Sequence, residues 1–126
     1  MRCTKAIIYS ENLRHNIAEI KKNLKKDVKL CCAVKANGYG NDAVNSAKIA
    51  EEMGAEYLAI ATVPEGIQLR EAGIKANLLL LSPCCPEEFE ELVDNRITPL
   101  VFDSEIIQEL NTIASDRRKI SCFSCN

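Results

Sequence analysis

The sequence has no tryptophan, a single histidine and few aromatic residues, which make up 5% of its 126 residues. Its core must therefore be built mainly from aliphatic side chains. The apolar runs are far too short for a membrane-spanning helix. A net charge of −2 gives no electrostatic case for binding nucleic acid or an anionic membrane. No signal-peptide apolar stretch precedes the first strand-like segment, so a cytoplasmic location is the default expectation.

Cysteine is abundant by contrast, with seven residues. They fall in apolar strand-like segments or beside prolines, and the neighbours Cys31 and Cys32 would point to opposite faces of a strand. We therefore interpret them as reduced, buried residues that act as small hydrophobic groups, rather than as disulfides. The Cys122 and Cys125 spacing resembles a metal-binding pair, but it stands alone and predicts no metal site. The one histidine, His15, lies off the apolar stripe of its helix and is expected to be exposed.

The order of apolar segments indicates an α/β fold. With 47% hydrophobic and 27% charged residues, the composition is that of one globular domain. Strands are predicted to begin near residues 29, 57, 77, 97 and 119, with a helix in each interval. Such alternation favours a parallel sheet, which would suit either a (β/α)₈ barrel or an open doubly wound sheet. A further strand is expected at residues 5–9, before a helix capped by Ser10.

Several helix starts carry their own signals. Asp42 is suited to cap the helix that follows it, and Asp103 or Ser104 to cap a later one. Thr62 and Glu65 have the spacing of a capping box, in which each side chain binds the backbone N–H of the other residue. These signals place helix N-termini directly after the predicted strands.

Residues 31–42, with the sequence CCAVKANGYGND, are the stretch around which the site is predicted. A strand predicted at residues 28–35 ends on Lys35, which would share one face with Cys31 and Ala33. An ammonium group is costly to desolvate, so a lysine there requires a reason. Small residues beneath it suit a barrel interior or the layer under a bound cofactor. Gly38 and Gly40 would allow a tight turn after the lysine.

The position of Lys35 admits several interpretations. Barrels carry their catalytic residues at the carboxyl ends of strands, and partial burial would favour the neutral amine that reacts with carbonyl groups. Tyr39 could reach forward with its hydroxyl, and the N-terminus of the next helix would favour phosphate. On the residues alone, a surface lysine in a Gly-Asn turn is nevertheless the favoured explanation. A nucleotide site is a weaker one, because the turn is neither a P-loop nor a dinucleotide fingerprint.

The segment AVKANGYG at residues 33–40 resembles the attachment signature for pyridoxal phosphate (PLP) in the alanine racemases. Residues 13–16, 59–66 and 69–74 resemble the first helix and the second strand–helix unit of that family, and the resemblance extends over residues 5–115. It implies the N-terminal part of a PLP-binding (β/α)₈ TIM-type barrel, incomplete here. Residues 1–126 would then form a single partial domain, with residues 120–126 off the family pattern.

The same resemblance implies an isomerase that interconverts L-alanine and D-alanine for cell-wall precursors and acts as a homodimer. Lys35 matches the lysine that holds PLP as a Schiff base and serves as one catalytic base. Tyr39 matches the tyrosine near the cofactor phosphate. A tyrosine from the C-terminal domain of the partner subunit would serve the other face of the substrate. Other PLP barrel enzymes, such as a decarboxylase or a different racemase, and a non-catalytic PLP-binding domain remain as alternatives.

The sequence also departs from the family. Asn41 stands where the family usually has a histidine, and residues 120–126 do not match its next strand and loop. The arginine that faces the pyridine nitrogen and most phosphate-binding residues have no match. About half of a barrel would expose strand edges and apolar surface. We therefore expect a truncated or frame-shifted chain that is poorly active or inactive alone and prone to associate.

Overall fold

The computed structural model describes residues 4–117 and 124–125, in which strands and helices alternate. The strands are β1 (Cys31–Ala33), β2 (Tyr57–Ile60), β3 (Asn77–Leu80), β4 (Ile97–Val101) and β5 (Ser124–Cys125). The helices are α1 (Ser10–Asn23), α2 (Lys35–Tyr39), α3 (Ala43–Glu52), α4 (Val63–Glu71), α5 (Phe89–Asp94) and α6 (Ser104–Asp116), with a 3-10 turn at Pro86–Glu88. None of the helices in the described residues has the length and apolar character needed to cross a membrane.

The sheet order decides between the two predicted architectures. All neighbouring strands are parallel and lie in chain order, β1-β2-β3-β4-β5. A doubly wound sheet reverses its direction of growth at a switch point, and no reversal occurs among the described strands. Right-handed crossovers that always advance in one direction put the helices on one face of the sheet, as in a (β/α)₈ barrel. The predicted barrel portion is therefore confirmed.

One face of the sheet is more deeply buried than the other. The register places Leu58, Leu78 and Ile97 in one row, and all three are buried against the helices. Side chains of the alternate positions lie on the other face, which we call the open face. There Cys31 and Asn77 are exposed. The open face corresponds to the interior of a closed barrel, because the outer ring of helices covers the opposite side.

A half-buried arginine, Arg70, ties the amino ends of β3 and β4 together. The Arg70 guanidinium donates hydrogen bonds of 2.8–3.0 Å to four backbone carbonyl oxygens, those of Ile74, Ala76, Asn95 and Arg96. These carbonyls lie just before β3 and β4. Burial lowers the pKa of Arg70, while the nearby Glu51 carboxylate opposes that shift. The last turn of α4 is thus anchored at the amino-terminal ends of the strands, opposite the end of the sheet at which Lys35 lies.

The N-terminal predictions are wrong in two respects. Residues 5–9 form no strand, since they pair with no strand among the described residues, and Ile7 and Tyr9 are 70% and 67% exposed. Ser10 is the first residue of α1 rather than its cap, which is Tyr9. The Ser10 hydroxyl instead accepts a hydrogen bond from Asn45 Nδ2 at 3.3 Å. An isolated apolar segment becomes a strand only where a partner strand completes its hydrogen bonds.

The cysteine prediction holds only in part. Cys31, Cys32, Cys84 and Cys85 are all free thiols, but Cys31 and Cys85 are exposed and the other two are only partly buried. Cys31 is exposed because it lies on the open face, where the described residues provide no second layer. His15 is exposed, as predicted. The spacing at Cys122 and the strand predicted at Ile120 fall outside the described residues.

Candidate functional site

Lys35 follows the carboxyl end of β1, as the sequence predicts, but the strand is Cys31–Ala33 rather than residues 28–35, so the lysine lies two residues beyond it. It begins α2, which we call the lysine turn, and it is half-buried. Within the part of the chain that the structure describes, its amine has no hydrogen bond or ion pair. The amine therefore does not stabilise the described fold through a hydrogen bond or an ion pair. It is free to bind a ligand at the edge of the sheet where barrels carry their catalytic groups.

The lysine turn is wound in the left-handed sense. Ala36, Asn37 and Gly38 have φ angles of 51°, 54° and 61°, and Tyr39 has a φ of 53°. The Gly38 N–H donates to the carbonyl of Val34 at 2.9 Å, which closes the turn. The left-handed region costs an L-residue roughly 1–2 kcal/mol, so a run of four such conformations, three of them at residues other than glycine, requires support from its surroundings. The sequence predicts this backbone only at the glycines.

Two asparagines dock the lysine turn onto the start of α3. The Ala43 N–H donates to Oδ1 of Asn37 at 3.1 Å, and Asn41 Nδ2 donates to the Gly38 carbonyl at 3.1 Å. Gly38 is buried so closely against α3 that an added Cβ would lie 3.1 Å from Ser46 Oγ. These contacts hold the turn in its left-handed form.

The same contacts overturn one expectation about phosphate. Asp42 caps α3, as predicted, by accepting a hydrogen bond from the Asn45 N–H at 2.8 Å. The Ala43 N–H is bound by Asn37, and a carboxylate already occupies the helix end. A second anion there would lack these two donors and meet the charge of Asp42. The N-terminus of α3 is therefore not the phosphate site that the sequence suggests.

Glu65 joins the lysine turn to β2. Its Oε1 accepts a hydrogen bond from the Ala36 N–H at 2.8 Å. Its Oε2 accepts from the N–H groups of Ala61 and Thr62 at 2.7 and 3.2 Å. The bonds with Thr62 confirm the predicted capping box. The bond to Ala36 is not predicted by the sequence analysis. Two features could have indicated it: the parallel sheet places the carboxyl ends of β1 and β2 side by side, and a capping carboxylate has a second oxygen that can accept a hydrogen bond.

Tyr39 is placed near Lys35 in the chain but faces a separate groove. It is 63% exposed, and its hydroxyl has no partner among the described residues. It borders a groove of about 580 Å³ beside α1 and β1, which Leu13, Cys31 and Asn41 also line and Lys35 does not. The structure thus puts both predicted site residues on one turn without bringing them into one cavity.

Comparison with known proteins agrees with this geometry. Residues 8–123 match the family described as alanine racemase, N-terminal domain. The chain belongs to this family. The match includes β1, the lysine turn and Glu65, so the left-handed turn is part of the family's domain in this chain.

Individual relatives give the extent of the likeness. An alanine racemase of Treponema denticola is 50% identical over 119 residues, which cover 94% of this chain and 31% of that protein. A solved alanine racemase of Clostridium difficile 630 has a TM-score of 0.86 at 40% identity, over 90% of this chain and 30% of that one. Another structure of that enzyme, in complex with cycloserine, has a TM-score of 0.89 at 36% identity, over 97% and 34%. The chain spans about a third of the length of these relatives.

Proposed function

We propose that this chain is the N-terminal barrel portion of a PLP-dependent alanine racemase, and that residues 1–126 form a single partial domain of it. The family membership and the relatives that bear that name support the proposal. The observation that carries it is the Lys35 amine, which lies without a partner at the carboxyl end of β1. A lysine held in this position by a strained, well-supported turn has the character of a functional group rather than of a solvated surface residue.

The residues around Lys35 fit PLP at the amine. A primary amine is the group that binds the aldehyde of PLP, and Lys35 Nζ is not engaged elsewhere in the described residues. Cys31 and Ala33, the exposed residues of β1, leave the open face of that strand uncovered among the described residues. For the phosphate, the Tyr39 hydroxyl is the candidate that the sequence predicts. Lys35 would hold the cofactor through Nζ, and Tyr39 would lie near its phosphate.

Each group would have a defined task in racemisation. Bound PLP supplies an electron sink that makes the Cα proton of an amino acid acidic. The Lys35 amine, which the amino group of the substrate would displace from the cofactor, would accept that proton on one face of the substrate, or donate a proton to that face in the reverse direction. Inversion also needs a proton donor on the opposite face. The family resemblance assigns that task to a tyrosine of the partner subunit's C-terminal domain, so the proposed functional unit is a homodimer.

The proposal includes the substrate and the setting. Alanine is proposed because the relatives named above are alanine racemases. Supply of D-alanine for cell-wall precursors and a cytoplasmic location are proposed with it. We expect the 126-residue chain alone to bind PLP but to racemise alanine poorly or not at all, because Lys35 would serve only one face of the substrate.

Chemical trapping tests the cofactor assignment. The purified chain would be incubated with PLP, reduced with borohydride and digested, and its labelled peptides identified by mass spectrometry. We expect the adduct mainly on Lys35, with none at that position in Lys35→Arg. Lys48→Arg is the matched control, because Lys48 is an exposed lysine of α3 and its replacement should leave the labelling unchanged. A folded wild-type chain in which Lys35 is unlabelled, or labelled no more than Lys48, would refute the proposal.

A further inference from the structure

We propose that Glu65 is a positioning residue for Lys35, an inference that rests on the proposed function of that lysine. Its carboxylate is the described side chain that binds the residue directly after Lys35, through the 2.8 Å bond from the Ala36 N–H. The same carboxylate binds two N–H groups at the end of β2. Glu65 thus sets the direction in which the lysine turn leaves the sheet.

The arrangement requires a carboxylate with both oxygens in use. Oε1 serves Ala36, and Oε2 serves Ala61 and Thr62. A glutamine offers one carbonyl oxygen and one NH₂ group, which cannot accept a hydrogen bond. The oxygen would remain with the two N–H groups of the capping box, where glutamine is also accepted. The NH₂ group would then face the Ala36 N–H. Both groups are donors, so the hydrogen bond to Ala36 would be lost.

Glu65→Gln is therefore a selective perturbation. It retains the helix cap and removes the contact with the lysine turn. The turn would keep its docking onto α3 through Asn37 and Gly38, but its first residue would lose the bond that restrains the backbone beside Lys35. The predicted result is a displaced or mobile lysine amine in a folded protein.

A matched control exists at another helix start in the same chain. Glu88 is half-buried like Glu65, and its Oε2 accepts a hydrogen bond from the Cys85 N–H at 2.9 Å. It lies three residues after its N-cap, as Glu65 does, but it makes no contact with the lysine turn. Glu88→Gln therefore repeats the chemical change without the proposed effect. Thr62→Ala is a second control, because it weakens the cap of α4 while leaving Glu65 bonded to Ala36.

Two measurements on the whole chain test the proposal. In Glu65→Gln, the fraction of Lys35 labelled by PLP and borohydride should fall about fivefold relative to the other lysines, which corresponds to ~1 kcal/mol. Amide hydrogen exchange by NMR should show faster exchange at Ala36 and unchanged exchange at Ala61. Glu88→Gln and Thr62→Ala should label Lys35 as the wild type does.

The outcomes separate the two proposals. Wild-type labelling of Lys35 in Glu65→Gln, or an equal loss in Thr62→Ala, would overturn the positioning role and leave the cofactor assignment intact. If the wild-type chain itself is not labelled at Lys35, the proposed function fails. In that case, amide hydrogen exchange at Ala36 is the measurement that tests whether Glu65 holds the lysine turn. An unchanged exchange rate in Glu65→Gln would then refute the positioning role too.

Discussion

Gly38→Ala should be the most damaging single-methyl change in the lysine turn. Gly38 is buried with a φ of 61°, a conformation that alanine adopts at a cost of about 1 kcal/mol or more. The new Cβ would also lie 3.1 Å from Ser46 Oγ and 3.4 Å from the backbone of Ala43. The Ala43 backbone cannot retreat from α3, so Ser46 must move.

Moving Ser46 has a definite consequence. Its hydroxyl donates a hydrogen bond to the Asn41 carbonyl at 3.2 Å, and a bond of this kind contributes about 1 kcal/mol. Together with the backbone cost, Gly38→Ala should lower the free energy of unfolding by about 2–3 kcal/mol. Gly40→Ala is the matched control. Gly40 has a φ of 88° with no atom within 4 Å of the added methyl, so only the backbone cost of about 1 kcal/mol applies.

Equilibrium urea unfolding of both variants measures the difference directly. Because Ser46→Ala removes the obstructing hydroxyl, it should recover the contact part of the loss in a double mutant with Gly38→Ala. Equal losses in Gly38→Ala and Gly40→Ala would show that the close approach to α3 contributes nothing. A double mutant with simply additive losses would show that the Ser46 hydroxyl is not the obstacle.

Two further changes test other parts of the fold. Arg70→Met leaves four carbonyl oxygens without their donor and should lower the free energy of unfolding by about 3 kcal/mol, whereas Arg96→Met removes no such bond and should have little effect in the same urea assay. The hydrogen bond from the Leu30 N–H lowers the pKa of Glu56 from its ordinary value of 4.5, so the resulting stabilisation is present above that pH and disappears as the pH falls through the lowered pKa. The stability difference between wild type and Glu56→Gln should therefore shrink on acidification, and a difference independent of pH would contradict the assignment.

Local signals predicted most of the fold correctly. Thr62, Asp42 and Asp103 cap the helices at which the sequence places them, because a capping side chain binds N–H groups only two or three residues away. The strands β2, β3 and β4 were predictable for the same reason, because each is marked by an apolar run within its own segment. Residues 5–9 carry the same kind of apolar signal and form no strand, because pairing depends on a partner that the segment itself does not specify.

The site was less predictable than the fold, for a related reason. The position of Lys35 followed from strand order alone. Its left-handed turn did not, because Ala36 and Tyr39 have no intrinsic preference for positive φ, and the supporting contacts come from α3 and α4. The prediction that the N-terminus of α3 binds phosphate competes with the prediction that Asp42 caps it, since the Asp42 cap takes the Asn45 N–H and Asn37 takes the Ala43 N–H. The structure selects the cap.

Helix α4 connects the site to the rest of the sheet, because its first turn binds at the carboxyl ends of the strands and its last turn binds at their amino ends. Glu65 in the first turn holds the carboxyl ends of β1 and β2, and Arg70 in the last turn holds the segments that enter β3 and β4. Both charges also complement the helix dipole at their own end. The two substitutions should therefore separate. Arg70→Met should reduce stability with Lys35 labelling unchanged in the folded fraction, whereas Glu65→Gln should reduce labelling at little cost in stability. A protein in which both changes act on both quantities would show instead that α4 transmits displacement along its length.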